Sequence, residues 1–474
     1  MTTTERPAPI NLLAEISAFC KTEHIAESTF GKRAVNDGKF VSRLKDGSRV
    51  TPETWDRVTG FLKKNGWQSL RQSEADSLHL LSVNGDSSPA VTEPEETGNG
   101  SQARNFRFFD NRQKYLLFVN TCSEKEIVAA RVGKELAHLH PQPPAIRLFD
   151  GGMGDGTVLS AVMREMHTRF PTMPFYISGK EISLEDVRLS FAKMADRFLE
   201  HPATVLVITN MYYSEAPWLS PHRVEAANSL VWKNVALSGT TAHEFNQQFH
   251  DLEGFLAEYW QAGHSKKTGN PIYERPAVLV IYREDYRFLL NDVIPEPGKA
   301  RADFDLVIAS QPYRARVSAE FKAEKVIGPL TRALRKGGRL IGIHSCGNDP
   351  GMEIIHRVWP DEEPFKVDRH DILRALRKYL GKDSRHYNLN VYADSRSIFR
   401  YDMHTLPNEV ESSIGTSTLF AAWNAAVYVA QIEDERLSAV VKSGQYLEAT
   451  EATLKAHNGV WFYDESYVVS KKRD

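Results

Sequence analysis

After about residue 140 the chain alternates two hydrophobic rhythms. Short apolar runs at 145–149, 175–179, 204–210, 277–282, 304–309, 339–343, 388–392 and 460–469 read as strands. Between them apolar positions return every three or four residues, the spacing of amphipathic helices. The runs around Leu148 and Leu306 lack polar alternation, as expected of strands covered on both faces. Strands alternating with helices predict an α/β fold with a doubly wound parallel sheet. Residues 111–139 read as one or two helices ahead of the first strand. Residues 217–276 form a polar, aromatic-rich insertion with helical stretches, including 244–259, expected to lie over the strands' carboxyl ends as a lid.

Upstream the pattern differs. Apolar spacing over 11–20, 27–35, 37–45 and 51–64 predicts a small all-α domain at 8–70. Its last helix is opened by Thr51 as a cap and Pro52 at the first helical position. From Gln72 to Ala103 there is no Lys or Arg, six residues are acidic, and Ser, Gly, Pro and Asn concentrate in SSPAVTEPEETGNGSQ. Such a stretch cannot bury enough surface to fold alone, so 71–103 reads as a flexible acidic linker and 104–474 as a second domain.

Composition then narrows the function classes. A net charge of −2 gives no global attraction to nucleic acid or an acidic membrane, so any such affinity must come from a local patch. Cys20, Cys122 and Cys346 are odd in number and far apart, with no CxxC spacing, which favours neither a disulfide framework nor a metal site. The first residues carry no apolar signal core, and no run approaches the ~18 apolar residues of a spanning helix. The expectation is a cytoplasmic protein with no membrane span.

The candidate chemistry begins where the first strand ends. Residues 145–149 lead into Asp150-Gly151-Gly152-Met153-Gly154-Asp155-Gly156, and helical spacing resumes at Thr157. Glycines at 152, 154 and 156 let backbone N–H groups and a helix N-terminus approach a ligand closely. A dinucleotide loop needs G-x-G-x-x-G, and no third glycine falls at that spacing. A phosphate loop needs Lys where Thr157 stands, and Asp150 and Asp155 would repel a triphosphate. The remaining pattern, Asp-x-Gly-x-Gly-x-Gly, resembles the first motif of class I S-adenosylmethionine-dependent methyltransferases. That resemblance implies a Rossmann-like methyltransferase sheet and S-adenosyl-L-methionine as cofactor, held by Asp150, Gly151, Gly152, Gly154 and Gly156. An acidic loop also suits a ligand carrying an ammonium and a sulfonium.

On the same resemblance Glu181, closing the second strand, would accept both ribose hydroxyls. Asn210 and Met211 would lie along the adenine, although Asp is commoner at the first position; the alternative for Asn210 is an ordinary strand-ending turn. Ser310-Gln311-Pro312-Tyr313 resembles the [Asp/Asn/Ser]-Pro-Pro-[Tyr/Phe] motif of methyltransferases acting on planar nitrogens, with Gln311 departing from it. There Ser310 would contact both cofactor and acceptor, and Tyr313 would stack on the acceptor. Leu334 to His344 resembles the family's Lys/Arg-Gly-Gly turn and fifth strand. His344 is a candidate general base, the alternative being a structural histidine. Ser310, Tyr313 and His344 thus form the candidate catalytic set. Trp359, Phe365, Trp423 and Tyr428 are candidates for an acceptor pocket or for core.

The N-terminal segment resembles a phage-repressor-type helix-turn-helix. That resemblance places Lys39, Ser42 and Arg43 against DNA bases, with Lys32, Lys45 and Arg49 near phosphates. The alternative is a helical bundle for docking or for a homodimer. Three functions follow: a methyltransferase acting on nitrogen or oxygen of a small-molecule acceptor, an adenine-type nucleic-acid methyltransferase targeted by the helix-turn-helix, and a transcription regulator that senses S-adenosylmethionine.

Overall fold

The computed structural model describes residues 16–17, 19–20, 25–45, 52–64, 112–265, 271–405 and 414–473. The linker expected at 71–103, Thr51, Arg49 and most of the helix expected at 11–20 lie outside them. The chain divides into two units, Met1–Ser101 and Gln102–Asp474.

In the first unit, α1 (Glu27–Val35), α2 (Phe40–Lys45) and α3 (Pro52–Lys64) enclose Phe30, Val41, Leu44, Val58 and Leu62, together with Ile16 and Phe19. Asn36 ends α1 in the left-handed conformation, φ 59°, and Asp37 Oδ1 then accepts the Lys39 N–H at 2.9 Å ahead of α2.

The second unit opens with α4 (Arg112–Thr121) and α5 (Glu124–Leu136), followed by β1 (Ile146–Asp150), α6 (Thr157–Arg169), β2 (Phe175–Lys180), α7 (Leu184–Glu200) and β3 (Thr204–Thr209). The insertion supplies β4 (Val231–Leu237), α8 (Ala242–His250), α9 (Glu253–Tyr259) and the hairpin β5 (Ala262–His264) and β6 (Pro271–Tyr273). Then come β7 (Ala277–Arg283), β8 (Phe304–Ser310), β9 (Leu334–Ser345), α10 (Pro350–Val358), α11 (Arg369–Leu380), β10 (Tyr387–Asn390) and β11 (Ile398–Asp402). Helices α12 (Thr416–Val429), α13 (Asp434–Ser443) and α14 (Gln445–His457) precede the last strand, β12 (Trp461–Lys471).

One sheet runs in the order β10-β12-β9-β8-β1-β2-β3-β7-β4, with β11 paired to β12. The five central strands are parallel, giving the expected doubly wound α/β fold, while β7 and β12 run against their neighbours β3 and β9. Successive residues face opposite layers. Ile146 and Leu148 join the core under α5, α6 and α7, and Phe149 joins the core beneath α11. A third apolar cluster gathers α4, α10 and α12–α14 around the start of β12. No helix among the described residues is long and apolar enough to cross a membrane.

The insertion departs from the expected lid. Its strand β4 extends the sheet by pairing in parallel with β7, and α8 packs against α7, where Phe249 stacks on Phe191 at 4.9 Å. Its contact with the carboxyl end of β2 is Trp260, whose Nε1 donates to the Glu181 carbonyl at 2.9 Å.

Candidate active site

Strand β1 ends on Asp150, buried beneath the loop that follows. Its Oδ1 accepts the Gly152 N–H at 3.1 Å, so this carboxyl group shapes the turn from inside. Burial lifts its pKa to about 6; the Gly152 N–H opposes the rise, Glu181 adds to it and Lys125 opposes it. Gly154 and Gly156 hold φ of 52° and 75°, left-handed backbone that other residues resist. A Cβ at Gly156 would stand 2.8 Å from Ser190 Cβ, so close packing on α7 excludes a side chain as well. Asp155 is satisfied within the protein, accepting from Thr157 Oγ1 at 2.6 Å and from Lys193 Nζ at 3.3 Å. Gly152 remains exposed, leaving that side of the loop open.

Glu181 leans back on this loop. Its Oε2 accepts the Gly154 N–H at 2.8 Å, while Oε1 accepts the Ile182 and Ser183 N–H groups, both at 2.8 Å. The loop and the strand-end acid expected from the sequence are therefore one hydrogen-bonded unit. Lys180, one residue earlier, places Nζ 4.7 Å from the centre of the Tyr213 ring, and burial lowers its pKa. The Tyr213 hydroxyl donates to the Pro312 carbonyl at 2.8 Å, tying β2 to the loop after β8. Neither Lys180 nor Tyr213 belongs to a motif, and sequence reasoning missed both.

Asn210 and Met211 are both buried at the end of β3. Asn210 Oδ1 accepts the Ala277 N–H at 2.8 Å and Nδ2 donates to the Arg275 carbonyl at 2.9 Å, fastening the end of β3 to the start of β7. Met211 is fully enclosed in the core with Val205, Val207 and Tyr273.

The Ser310–Tyr313 loop separates its residues. Ser310 is half-buried at the end of β8. Gln311, at φ 46°, donates from Nε2 to Ser345 Oγ at 3.0 Å and to Asp464 Oδ1 at 3.2 Å. Tyr313 turns into the core, where its hydroxyl lies 3.2 Å from both His344 Nδ1 and Tyr467 Oη. His344 Nε2 is 2.7 Å from Glu465 Oε1, and Glu465 Oε2 accepts from the Arg369 guanidinium at 2.6 Å. A ring nitrogen facing a carboxylate carries the hydrogen, so Nε2–H donates to Glu465 and Nδ1 accepts from Tyr313. Burial lowers the His344 pKa, holding the ring neutral, and raises that of Tyr313 well above its ordinary range. With both nitrogens of His344 engaged and the Tyr313 ring buried, Tyr313 and His344 clamp the loop onto β9 and β12.

The facing wall comes from α4, α5 and α12. Tyr115 sits 6.0 Å from Tyr428, which is 4.8 Å from Phe118, ring centre to ring centre. Tyr115 Oη reaches Asp155 Oδ1 at 3.4 Å, and Lys125 Nζ lies 5.6 Å from the Tyr115 ring centre and 3.2 Å from Glu124 Oε2. Trp359 and Trp423 stack on each other at 5.8 Å within the helical cluster instead of opening on the loop. Phe365 lines a cleft of about 430 Å³ with Cys346, Asn348, Asp368, Tyr463 and Glu465. Burial raises the Cys346 thiol far above its ordinary range, which leaves it inert as a nucleophile. Among the described residues no group of three or more His, Cys, Asp or Glu is arranged to hold a metal ion.

No protein-family model matches the chain, and no curated protein matches it significantly. Among solved structures it is similar to geranyl diphosphate methyltransferase in complex with GPP and sinefungin, at 13% identity and a TM-score of 0.28, over 73% of this chain and 77% of that one. A putative sarcosine dimethylglycine methyltransferase from Galdieria sulphuraria gives 9% identity and a TM-score of 0.28, over 74% and 86%. PKMT2 from Rickettsia typhi in complex with AdoHcy gives 10% and 0.26, over 73% and 53%. At such scores none of them bears on the chemistry of this chain, which rests on its own residues.

Proposed function

We propose that this protein is an S-adenosyl-L-methionine-dependent methyltransferase acting on a small-molecule acceptor. The observation that supports it most is the 2.8 Å hydrogen bond from the Gly154 N–H to Glu181 Oε2, which joins the glycine loop to the strand-end acid. The residues present fit the cofactor. Glu181 keeps acceptor capacity on Oε2 for a ribose hydroxyl, because a carboxylate oxygen takes more than one hydrogen bond. Asp150 and Glu181 suit a ligand bearing positive charge and oppose a triphosphate. Gly152 leaves the loop open for close approach.

When bound, S-adenosylmethionine supplies an electrophilic methyl group whose leaving group departs as a neutral thioether. The protein's own task is then alignment, worth up to ~7–11 kcal/mol for well-oriented reactants. The clamp formed by Tyr313, His344 and Glu465 fixes the loop carrying Ser310 and Gln311, and of the three residues expected to act on the acceptor Ser310 alone keeps partial exposure. Calorimetric titration with S-adenosylmethionine, comparing the native chain with Glu181→Ala, tests this reading.

For the first unit we propose DNA binding. Lys39, Ser42 and Arg43 are all exposed, while Phe40, Val41 and Leu44 of the same segment face its core. Lys32 and Arg33 at the end of α1 are exposed as well, making the local basic patch that the net charge of the chain does not provide.

A further inference from the structure

The sheet's strand order lays out its carboxyl edge in space. Glu181 follows β2, the glycine loop follows β1, Ser310 and Gln311 lie at the end of β8, Ser345 ends β9, and Asp464 stands near the start of the reversed strand β12. A cofactor held between Glu181 and the glycine loop leaves the β8, β9 and β12 positions to the acceptor.

In that half stands an uncompensated acid. Asp464 is completely buried; Oδ1 accepts from Gln311, the Ser345 side chain favours its charged form, and Oδ2 has no hydrogen-bond partner among the described residues. The charge that acts on it most strongly is that of a second buried acid, Glu124, whose Oε2 lies 3.2 Å from the Lys125 ammonium and has no hydrogen-bond partner among the described residues. Asp349 is a third acid nearby, but it is satisfied as the cap of α10 by the Met352 N–H at 2.8 Å and the Tyr463 N–H at 2.9 Å. One ammonium among three carboxyl groups leaves the patch short of positive charge. Burial first, and Glu124 second, push the Asp464 carboxyl far above its ordinary range.

Ligand charge can be judged against this patch. An anionic acceptor would add repulsion, and a neutral one can donate a hydrogen bond to the unpartnered Asp464 Oδ2 yet leaves the shortage of positive charge. A cation relieves both. The aromatic surroundings agree, because Tyr115, whose ring centre already lies 5.6 Å from the Lys125 ammonium, and Tyr428, its ring centre 6.0 Å from that of Tyr115, favour a cation over other polar groups.

We infer that the methyl acceptor carries an ammonium group held by Asp464 and Glu124, distinct from the uncharged atom that takes the methyl group, a step that rests on the methyltransferase reading for its place in the reaction. The ammonium replaces the donor that Gln311 now offers to Asp464 and supplies the one that Oδ2 lacks.

Titration calorimetry of the full chain tests this with two amines, tyramine and putrescine, each beside its neutral counterpart, 4-ethylphenol or 1,4-butanediol. The expected result is that an amine binds at least about tenfold more tightly than its counterpart, the scale of a charge-assisted pair, and that Asp464→Asn abolishes the preference. Equal affinities, no binding of either amine, or a preference that survives in Asp464→Asn overturns the inference. If thermal unfolding shows that Asp464→Asn does not fold, Glu124→Gln must reduce the preference, and an unchanged preference overturns it. S-adenosylmethionine is titrated separately, so a native chain that prefers amines but fails to bind S-adenosylmethionine refutes the cofactor while keeping the cation seat.

Discussion

Asp464 and Glu465 are consecutive on β12 and stand in opposite electrostatic surroundings. Asp464 has one buried oxygen without a partner, whereas both oxygens of Glu465 are bound, by His344 and by Arg369. Side chains alternate faces along a strand, so neighbouring carboxyl groups serve different layers. Asp464 is bonded by Gln311 of the loop after β8, whereas Glu465 ties β12 to β9 through His344 and to the start of α11 through Arg369.

Glu465→Ala should lower stability by about 3–5 kcal/mol in urea unfolding, because it leaves Arg369 buried without its partner. Burial works against the charged form of Glu465, but the hydrogen bonds from His344 and Arg369 outweigh it and hold its pKa down to about 2, against an ordinary 4.5. A carboxylate depressed in this way contributes stability that is complete above about 4.5 and is lost as pH falls through about 2. The native chain should therefore lose stability over that window, and the variant should lose less.

His201 should make a separate acid-sensitive contribution. It stacks on Phe175 at 3.6 Å, its Nε2 bonds the Met173 carbonyl, and burial lowers its pKa from 6.5 to about 4. The folded state thus refuses a proton that the unfolded chain accepts, and stability should fall as pH drops from about 6.5 toward 4. His201→Phe should flatten the dependence of Tm on pH in that range while leaving the low-pH loss due to Glu465.

Gly156→Ala should cost about 1–3 kcal/mol from backbone conformation alone, with the contact against Ser190 adding to it. Thermal unfolding measures the loss. Gly381→Ala, also at positive φ but with nothing near its Cβ, should be milder.

The parts of the fold and site written in local sequence were legible. The eight apolar runs all became strands, and the glycine loop and Glu181 stand after the first and second strands as expected, although their hydrogen bond to each other was not foreseen. Strand direction was not legible, since the runs at β7 and β12 are equally apolar whichever way they point. Strand β4 escaped notice because, at the sheet's edge, Val231–Leu237 is half-exposed and mixes Trp232, Lys233 and Asn234 with its apolar positions. The Tyr313–His344–Glu465 clamp pairs His344 with a residue 121 positions on through that reversed last strand, so no spacing rule could announce it. For Asn210 the sequence leaves a turn and a ligand contact equally open, because a polar residue at a strand end serves either.

Arg43→Ala should weaken DNA binding by the full chain and reduce the slope of log K against log salt by about 1 if the guanidinium meets a phosphate, or relax base preference if it meets a base. Arg43 pairs with Asp37 on an exposed surface, so the substitution should leave thermal stability nearly unchanged. Salt-independent or undetectable binding by the native chain would leave the first unit as a docking or dimerisation module.

The most direct measurement is calorimetric titration of S-adenosylmethionine into the native chain, Asp150→Ala and Glu181→Ala, with folding of each variant checked by thermal unfolding. The expected result is one site per chain in the native protein and affinity at least about tenfold weaker in each folded variant, as each loses a charged contact or the loop geometry it holds. No binding by the native chain, or undiminished affinity in both folded variants, would contradict the glycine loop and Glu181 as the cofactor site.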